Sequence, residues 1–199
     1  MIENNIPLAQ VGQDRFALNT AKHKTYVEIG AAGPIKYNNT YLLEKNGWQG
    51  FSIELNQGRV SQWFEDWVGR NNKIYCADAI TFDYVAALKE NNLPSRIGYL
   101  SCDIEPVENT FSALKRVIEQ GLIFDCITFE HDKYQSEIDY DPIVTEYLKN
   151  KGYKVAVKDV YRWRKRPCYF ETWYVHNDID FEQIEWKQWC EKKVGENNA

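Results

Sequence analysis

The sequence has a single methionine, three histidines and five cysteines, and no two cysteines form a Cys-x-x-Cys pair. Thiols that are scattered singly and odd in number suit a reduced state, and they argue against a disulfide framework or a structural zinc site. Positive charge is also in short supply: 24 Lys and Arg face 29 Asp and Glu, for a formal net charge of -5. That balance speaks against general nucleic-acid binding and against an anionic membrane surface. No apolar run reaches the length of a membrane span, and the opening MIENNIPLAQVGQ has neither a charged leader nor an apolar signal core. Internal repeats and low-complexity linkers are missing too. These absences leave a soluble, cytoplasmic chain that recognises its partners at a specific site.

What is present is enough for one core. A chain of 199 residues with 44% hydrophobic and 15% aromatic content can bury it as one domain over 1–199, with a core at about 24–176. Short β-branched runs alternate with longer stretches of helical period. The strand candidates are 25–29, 50–55, 73–76, 96–102, 124–130, 153–157 and 168–175, with helices near 39–46, 57–68, 82–91, 108–120 and 142–150. Asp141 before Pro142 reads as a helix start, and Gly47, Gly121 and Gly152 read as stops. Alternation of this kind implies an α/β, Rossmann-like architecture: a seven-stranded, mostly parallel sheet with helices on both faces. No helix fits between 157 and 168, so the last two strands should form an antiparallel hairpin around the loop 159–167. The closing segment FEQIEWKQWCEKKV spaces Phe181, Ile184, Trp186 and Trp189 as a C-terminal helix at about 180–192.

In such sheets the ligand lies beyond the carboxyl ends of the strands. Those ends carry Glu28, Glu54, Asp78, Asp103, Glu105, Glu130 and His131. The first turn, Gly30 to Gly33 in VEIGAAGPIKYNN, is built from small residues that let a backbone approach a ligand closely. A dinucleotide pyrophosphate calls for Gly-x-Gly-x-x-Gly, and this turn lacks two of those glycines. Glu54, at the end of the second strand, suits the hydroxyls of a ribose, and Asp78 suits an adenine amine. A nucleoside carrying a cation in place of phosphates fits a rim of carboxylates, and S-adenosylmethionine is such a molecule.

The run YVEIGAAGPIKYNNTYLLEKNGWQGFSIELN resembles the opening of FkbM-type methyltransferases, a family with the class I S-adenosylmethionine-dependent fold. IGYLSCDIEPVE is similar to that family's Asp-x-Glu-Gly-x-Glu segment, FDCITFEH to its fifth-strand ending, and FETWYVH to its closing aromatic strand. The resemblance covers about residues 24 to 176 and implies methyl transfer to a hydroxyl on a sugar, glycan or other small molecule. It further implies that Glu28, Gly30 and Ala31 flank the methionine part of the cofactor, that Asn39 approaches its amino-acid end, and that Glu54 and Asp78 hold the ribose and adenine. Asp103 belongs to the cofactor set and, with Glu105 and Glu108, to the acidic segment after the fourth strand. Two departures fall inside these motifs: Ala32, Gly33 and Pro34 stand where the family has Asn-Asp-Gly, and Pro106 stands where it has glycine.

Methyl transfer needs an aligned acceptor and a group to take its proton. His131 beside Glu130 is the candidate base because imidazole titrates near neutrality, and Asp103 is the alternative. The catalytic set is therefore His131, Asp103, Glu105 and Glu130. Those residues also have the ligand chemistry of a divalent metal, but clustered acids need only a cationic cofactor or an arginine nearby, so no metal is assigned. The loop YRWRKRP offers Arg162, Arg164 and Arg166 to an anionic acceptor, although a solvated hairpin loop is the favoured reading. A non-catalytic S-adenosylmethionine-binding or scaffold protein is the alternative function, as the altered turn and Pro106 allow. A nicotinamide oxidoreductase trails further behind.

Overall fold

The computed structural model describes residues 9–65, 68–163 and 167–181. Its strands are β1 (Thr25–Ile29), β2 (Gln49–Glu54), β3 (Lys73–Cys76), β4 (Arg96–Cys102), β5 (Ile123–Glu130), β6 (Tyr153–Trp163) and β7 (Pro167–His176). They make a 7-stranded sheet in the order β3-β2-β1-β4-β5-β7-β6. Strands β1 to β5 run parallel, β7 is antiparallel to β5, and β6 is antiparallel to β7. The expected mostly parallel sheet with a reversed last hairpin is what forms.

Six helices connect or precede these strands among the described residues: α1 (Gln13–Thr20), α2 (Tyr41–Lys45), α3 (Gln57–Gln62), α4 (Tyr84–Glu90), α5 (Val107–Glu119) and α6 (Tyr140–Asn150). Alternation along the strands divides the core. Val27 and Ile29 join Phe51, Leu100 and Ile127 under Leu88 of α4, Leu114 of α5 and Leu148 of α6. Tyr26, Tyr99, Cys126 and Trp173 face the other way and pack with Phe16 of α1 and Leu43 of α2. With helices on both faces, the inner strands β1, β2, β4 and β5 are buried on both sides, which explains why they read as apolar runs. Among the described residues no helix is long and apolar enough to cross a membrane.

Several boundaries differ from expectation for local reasons. Helix α1 was not anticipated, because QDRFALNT has little apolar period. Its buried positions include Gln13 and Asp14, held by hydrogen bonds such as Gln13 Nε2 to Glu171 at 3.0 Å. Strand β6 runs on to Trp163 through register shifts, so strand pairing with β7 extends into the expected loop 159–167. Helix α6 is capped by Asp139, whose Oδ1 accepts from the Asp141 N–H at 3.1 Å. Asp141 turns inward instead and accepts from the Thr172 hydroxyl at 2.8 Å. The C-terminal helix at 180–192 lies, beyond Phe181, outside the described residues.

The connections place the site. From β1 the chain moves outward to β2 and β3, then returns to β4 on the other side of β1 and continues to β5. That reversal opens a crevice at the carboxyl ends of β1 and β4.

Candidate active site

Gly30 sits at that reversal with φ +81, and a Cβ built on it would lie 1.6 Å from the Asp103 carbonyl oxygen. Only glycine lets the ends of β1 and β4 meet this way. The N–H groups of Gly30 and Ala31 both donate to the Ile53 carbonyl, at 3.0 and 3.1 Å. A cavity of about 600 Å³ opens here, with Gly30, Ala32, Glu54, Asp78, Asp103 and Glu105 in its lining. Glu54 Oε2 accepts from the Ala32 N–H at 2.9 Å and its Oε1 from Asn56 at 2.8 Å, so this carboxylate also shapes the turn. Asp78 Oδ1 accepts from the Ile80 N–H at 2.9 Å.

Glu28 and Asn39 are not in the lining. Glu28 is 2% exposed and lies beneath the turn, where its Oε2 accepts from Ser52 (2.7 Å), Thr40 (2.9 Å) and Asn38 (3.3 Å). Burial raises its pKa, against the opposing pull of Arg70 and those donors. Asn38 then donates to the carbonyls of Ala31 and Gly33 at 3.1 and 3.2 Å, which carries the influence of Glu28 to the turn. Ala31 itself is 2% exposed. Asn39 donates to Ser101 Oγ at 2.9 Å, and its Oδ1 is buried without a partner.

The sequence reading missed the cation that ties this turn down. The Arg70 side chain is 1% exposed and pairs with Glu44 at 2.6 Å. It also donates to the Pro34 carbonyl (3.0 Å), Asn38 Oδ1 (2.9 Å), Thr40 Oγ1 (3.0 Å) and the Tyr26 hydroxyl (3.1 Å), and its guanidinium lies 4.1 Å from the Trp63 ring centroid. Nothing around VGRNN marks Arg70 as buried, since its partners come from four separate segments. Pro34 is therefore held through its carbonyl, in a turn where Ala32 has φ 46.

On the other side of the crevice three carboxyls gather. Asp103 and Glu130 hydrogen-bond to each other, and burial together with the Asp103 charge drives the Glu130 pKa far upward, while burial raises Asp103 as well. Glu171 is the direct β7 partner of Glu130. Its Oε2 accepts from Trp173 Nε1 at 2.6 Å and from Gln13 Nε2 at 3.0 Å, and burial pushes its pKa to about 8. A lone acid inside FETWYVH was the available signal for Glu171. The chemistry of the group is proton sharing: Glu130 and Glu171 hold protons beside Asp103, the member that ionises first.

His131 is 1% exposed and stands apart from both cavities. Its Nδ1 accepts from the Lys133 N–H and its Nε2 meets the Thr172 hydroxyl, each at 3.3 Å. Burial lowers its pKa. The imidazole of the expected base is directed at Thr172, whose hydroxyl in turn donates to Asp141. It does not join Asp103 and Glu105 as a ligand set, and among the described residues no group of His, Cys, Asp or Glu is arranged to hold a metal. Arg162 donates to the Tyr134 hydroxyl at 2.6 Å and stacks 5.3 Å from the Phe170 ring centroid. Arg164 and Arg166 lie outside the described residues.

A second cavity, of about 510 Å³, adjoins the first and also has Glu105 in its lining. The Glu105-Pro106 peptide is cis, and Pro106 precedes α5 as its N-cap.

No family model matches this chain, and no curated protein matches it. Solved structures do. It is similar to TrmK of M. capricolum, solved with S-adenosylhomocysteine, with TM-score 0.60 and 12% identity over 91% of this chain and 75% of that one. It is also similar to a putative tRNA (m1A22) methyltransferase of Streptococcus pneumoniae solved with S-adenosylmethionine, with TM-score 0.58 and 8% identity over 90% and 78% of the two chains. A third likeness, with TM-score 0.52 and 13% identity over 83% and 76%, is to magnesium protoporphyrin IX methyltransferase of Synechocystis. The chain has the Rossmann-like fold of class I S-adenosylmethionine-dependent methyltransferases.

These likenesses correct one expectation. The fold is shared with methylases of tRNA and rRNA, so exclusion of nucleic-acid partners on net charge does not stand. A charge of -5 is a sum over the whole surface and says nothing of the sign of any one face.

Proposed function

We propose that this chain is an S-adenosylmethionine-dependent methyltransferase of FkbM type that methylates a hydroxyl. The observation that carries the proposal is the cavity at the β1–β4 crevice. Glu54, Asp78, Asp103 and Glu105 contribute acids to its lining, and Arg59 contributes the positive charge. A pyrophosphate would meet like charge there, whereas a sulfonium nucleoside would meet opposite charge. The cradle at Gly30, which a Cβ would fill, gives the backbone room for close approach.

In this reading Glu54 holds the ribose, Asp78 faces the adenine, and the backbone at Gly30 and Ala31 borders the methionine part. Glu28 acts through Asn38 as a positioning residue, and Asn39 supports the same end. Bound S-adenosylmethionine supplies an electrophilic methyl group. Asp103, ionised beside a protonated Glu130, accepts the proton of the acceptor hydroxyl, and Glu105 stands between the two cavities. The chain is read as one methyltransferase-like domain. Its buried, free Cys102 and Cys126 support a cytoplasmic location.

Calorimetry with S-adenosylmethionine, S-adenosylhomocysteine and a nicotinamide dinucleotide tests the cofactor class. Methyl-labelled turnover over sugars, small hydroxylated molecules and transcribed tRNA tests the acceptor. Binding of the first two ligands with labelled product is the expected result. Absence of sulfonium binding overturns the proposal, and binding without transfer to any acceptor favours the non-catalytic alternative.

A further inference from the structure

Glu171 is a buried acid that the proposed chemistry leaves unused. Asp103 lines the first cavity, whereas Glu130 and Glu171 line neither of the two. Cys102 pairs with Phe129 in the parallel β4–β5 ladder, so Asp103, one residue on, arrives beside Glu130, and the two carboxyls share a hydrogen bond. Across the antiparallel ladder Glu130 pairs directly with Glu171, which is 2% exposed, and directly paired residues share a face of the sheet. Glu130 therefore has an acid on each side, and its one proton can be given to only one of them.

Glu171 is held in place by two donors. Its Oε2 accepts from Trp173 Nε1 at 2.6 Å and from Gln13 Nε2 at 3.0 Å, and Gln13 is itself fixed through Oε1, which accepts from the Val11 N–H at 3.0 Å. Two donors on one oxygen suit a carboxylate, so the pocket can house the ionised form as well as the protonated form that burial, joined by the Asp103 charge, favours. The other charged and titratable neighbours come from each packed element. Tyr99 lies on β4 with Glu105 after it, Asp132 follows β5, and Arg162 on β6 acts on Asp103 and Glu130. On α1, Asp14 is turned to the Ala9 and Arg15 N–H groups. Acids outnumber the cation Arg162 in this group, so protons must be kept, and where they sit depends on pH.

We infer that Glu171 is a positioning residue for the proposed methyl transfer, one that competes with Asp103 for the carboxylic O–H of Glu130. While Glu171 is protonated, Glu130 donates to Asp103 and fixes the orientation of the base. Once Glu171 ionises, it draws that donor toward β7 and leaves Asp103 unsupported. The inference rests on the proposed function for the role of Asp103, and it adds an alkaline limit set by an acid that lines neither cavity.

The test follows the protonated-carboxyl bands of the full chain, without cofactor, by infrared difference spectroscopy from roughly pH 6 to 10. One band is expected to vanish near about pH 8, where Glu171 titrates, while a second, from Glu130, persists and shifts as its hydrogen-bond partner changes. In Glu171→Gln the first band is missing and the second keeps one position throughout. Methyl-labelled turnover is expected to fall above about pH 8 in the parent, and this alkaline limb should move up by at least ~1 pH unit in Glu171→Gln. A purely structural role would lower turnover without moving the limb. Gln13→Met, a second variant in case Glu171→Gln fails to fold, takes one donor from the carboxylate and should raise both the band loss and the limb by roughly 0.5 pH unit. A Glu130 band that does not shift, or a limb that both variants leave in place, overturns the inference and leaves the methyltransferase reading standing. The expected band behaviour without transfer to any acceptor supports the competition at Glu130 and removes the methyltransferase reading alone.

Discussion

Glu130 and Glu171 stand directly opposite one another on β5 and β7, in the antiparallel pair nearest the candidate site. Two carboxylates so placed on one face repel when both are ionised, and burial adds to the penalty. Protons are retained instead: Glu171 titrates at about 8 and Glu130 is pushed far above the usual carboxyl range.

Stability should therefore fall as pH rises. Below 4.5 Glu171 is protonated folded and unfolded alike; between 4.5 and about 8 the folded chain keeps the proton and the unfolded chain releases it. The contribution of Glu171 is lost across that window at up to ~1.4 kcal/mol per pH unit. Glu171→Gln, which can still accept from Trp173 and Gln13, should flatten the slope in urea unfolding series between pH 5 and 8. An unaltered slope would show that Glu171 does not bind the proton.

Two glycines of the first turn should behave oppositely. Gly30→Ala forces a Cβ onto the Asp103 carbonyl at 1.6 Å, whereas a Cβ at Gly33 meets nothing within 4 Å. Gly30→Ala is expected to cost at least ~2 kcal/mol and to abolish cofactor binding, and Gly33→Ala to stay within ~0.5 kcal/mol of the parent. Thermal melts and cofactor titration of the two variants read this directly.

Arg70→Met removes the cation that Glu44 pairs with and leaves four acceptors around the turn short of a donor. A loss of ~3 kcal/mol is expected, because breaking a buried pair strands its partner charge. Cofactor affinity should weaken even at temperatures where the variant is fully folded. Retention of parental affinity there would mean that Arg70 stabilises the fold without positioning the turn.

His131→Gln and Asp103→Asn separate the two candidate bases. His131→Gln should lower stability yet keep turnover within about threefold, with its pH profile unchanged. Asp103→Asn should reduce turnover by on the order of a hundredfold, the usual scale for loss of a positioned base. The reverse ranking would falsify the assignment of Asp103.

The strand ends at Ile29 and Cys102 fall where the apolar runs stop, since an inner strand buried on both faces must be largely apolar along its length. The cavity residues Gly30, Glu54, Asp78, Asp103 and Glu105 were legible for a related reason: in this fold, position after a strand is position at the rim. Arg70 and Glu171 were not. Each is a charged residue whose burial depends on partners distant in the chain, and no local pattern announces those partners. His131 follows the rim rule in sequence, yet its side chain is buried against Thr172, a partner 41 residues away that no local pattern announces.

The amino-acid order by itself determined the layering of helices on a sheet and the residues delivered to one rim, because apolar period and turn chemistry act over a few neighbours. Only the tertiary structure decided which of those rim residues share a cavity, which lie buried beneath it, and which hold protons. Those outcomes depend on distance and desolvation between segments tens of residues apart, as when Glu171 of the last strand meets Glu130 and Gln13.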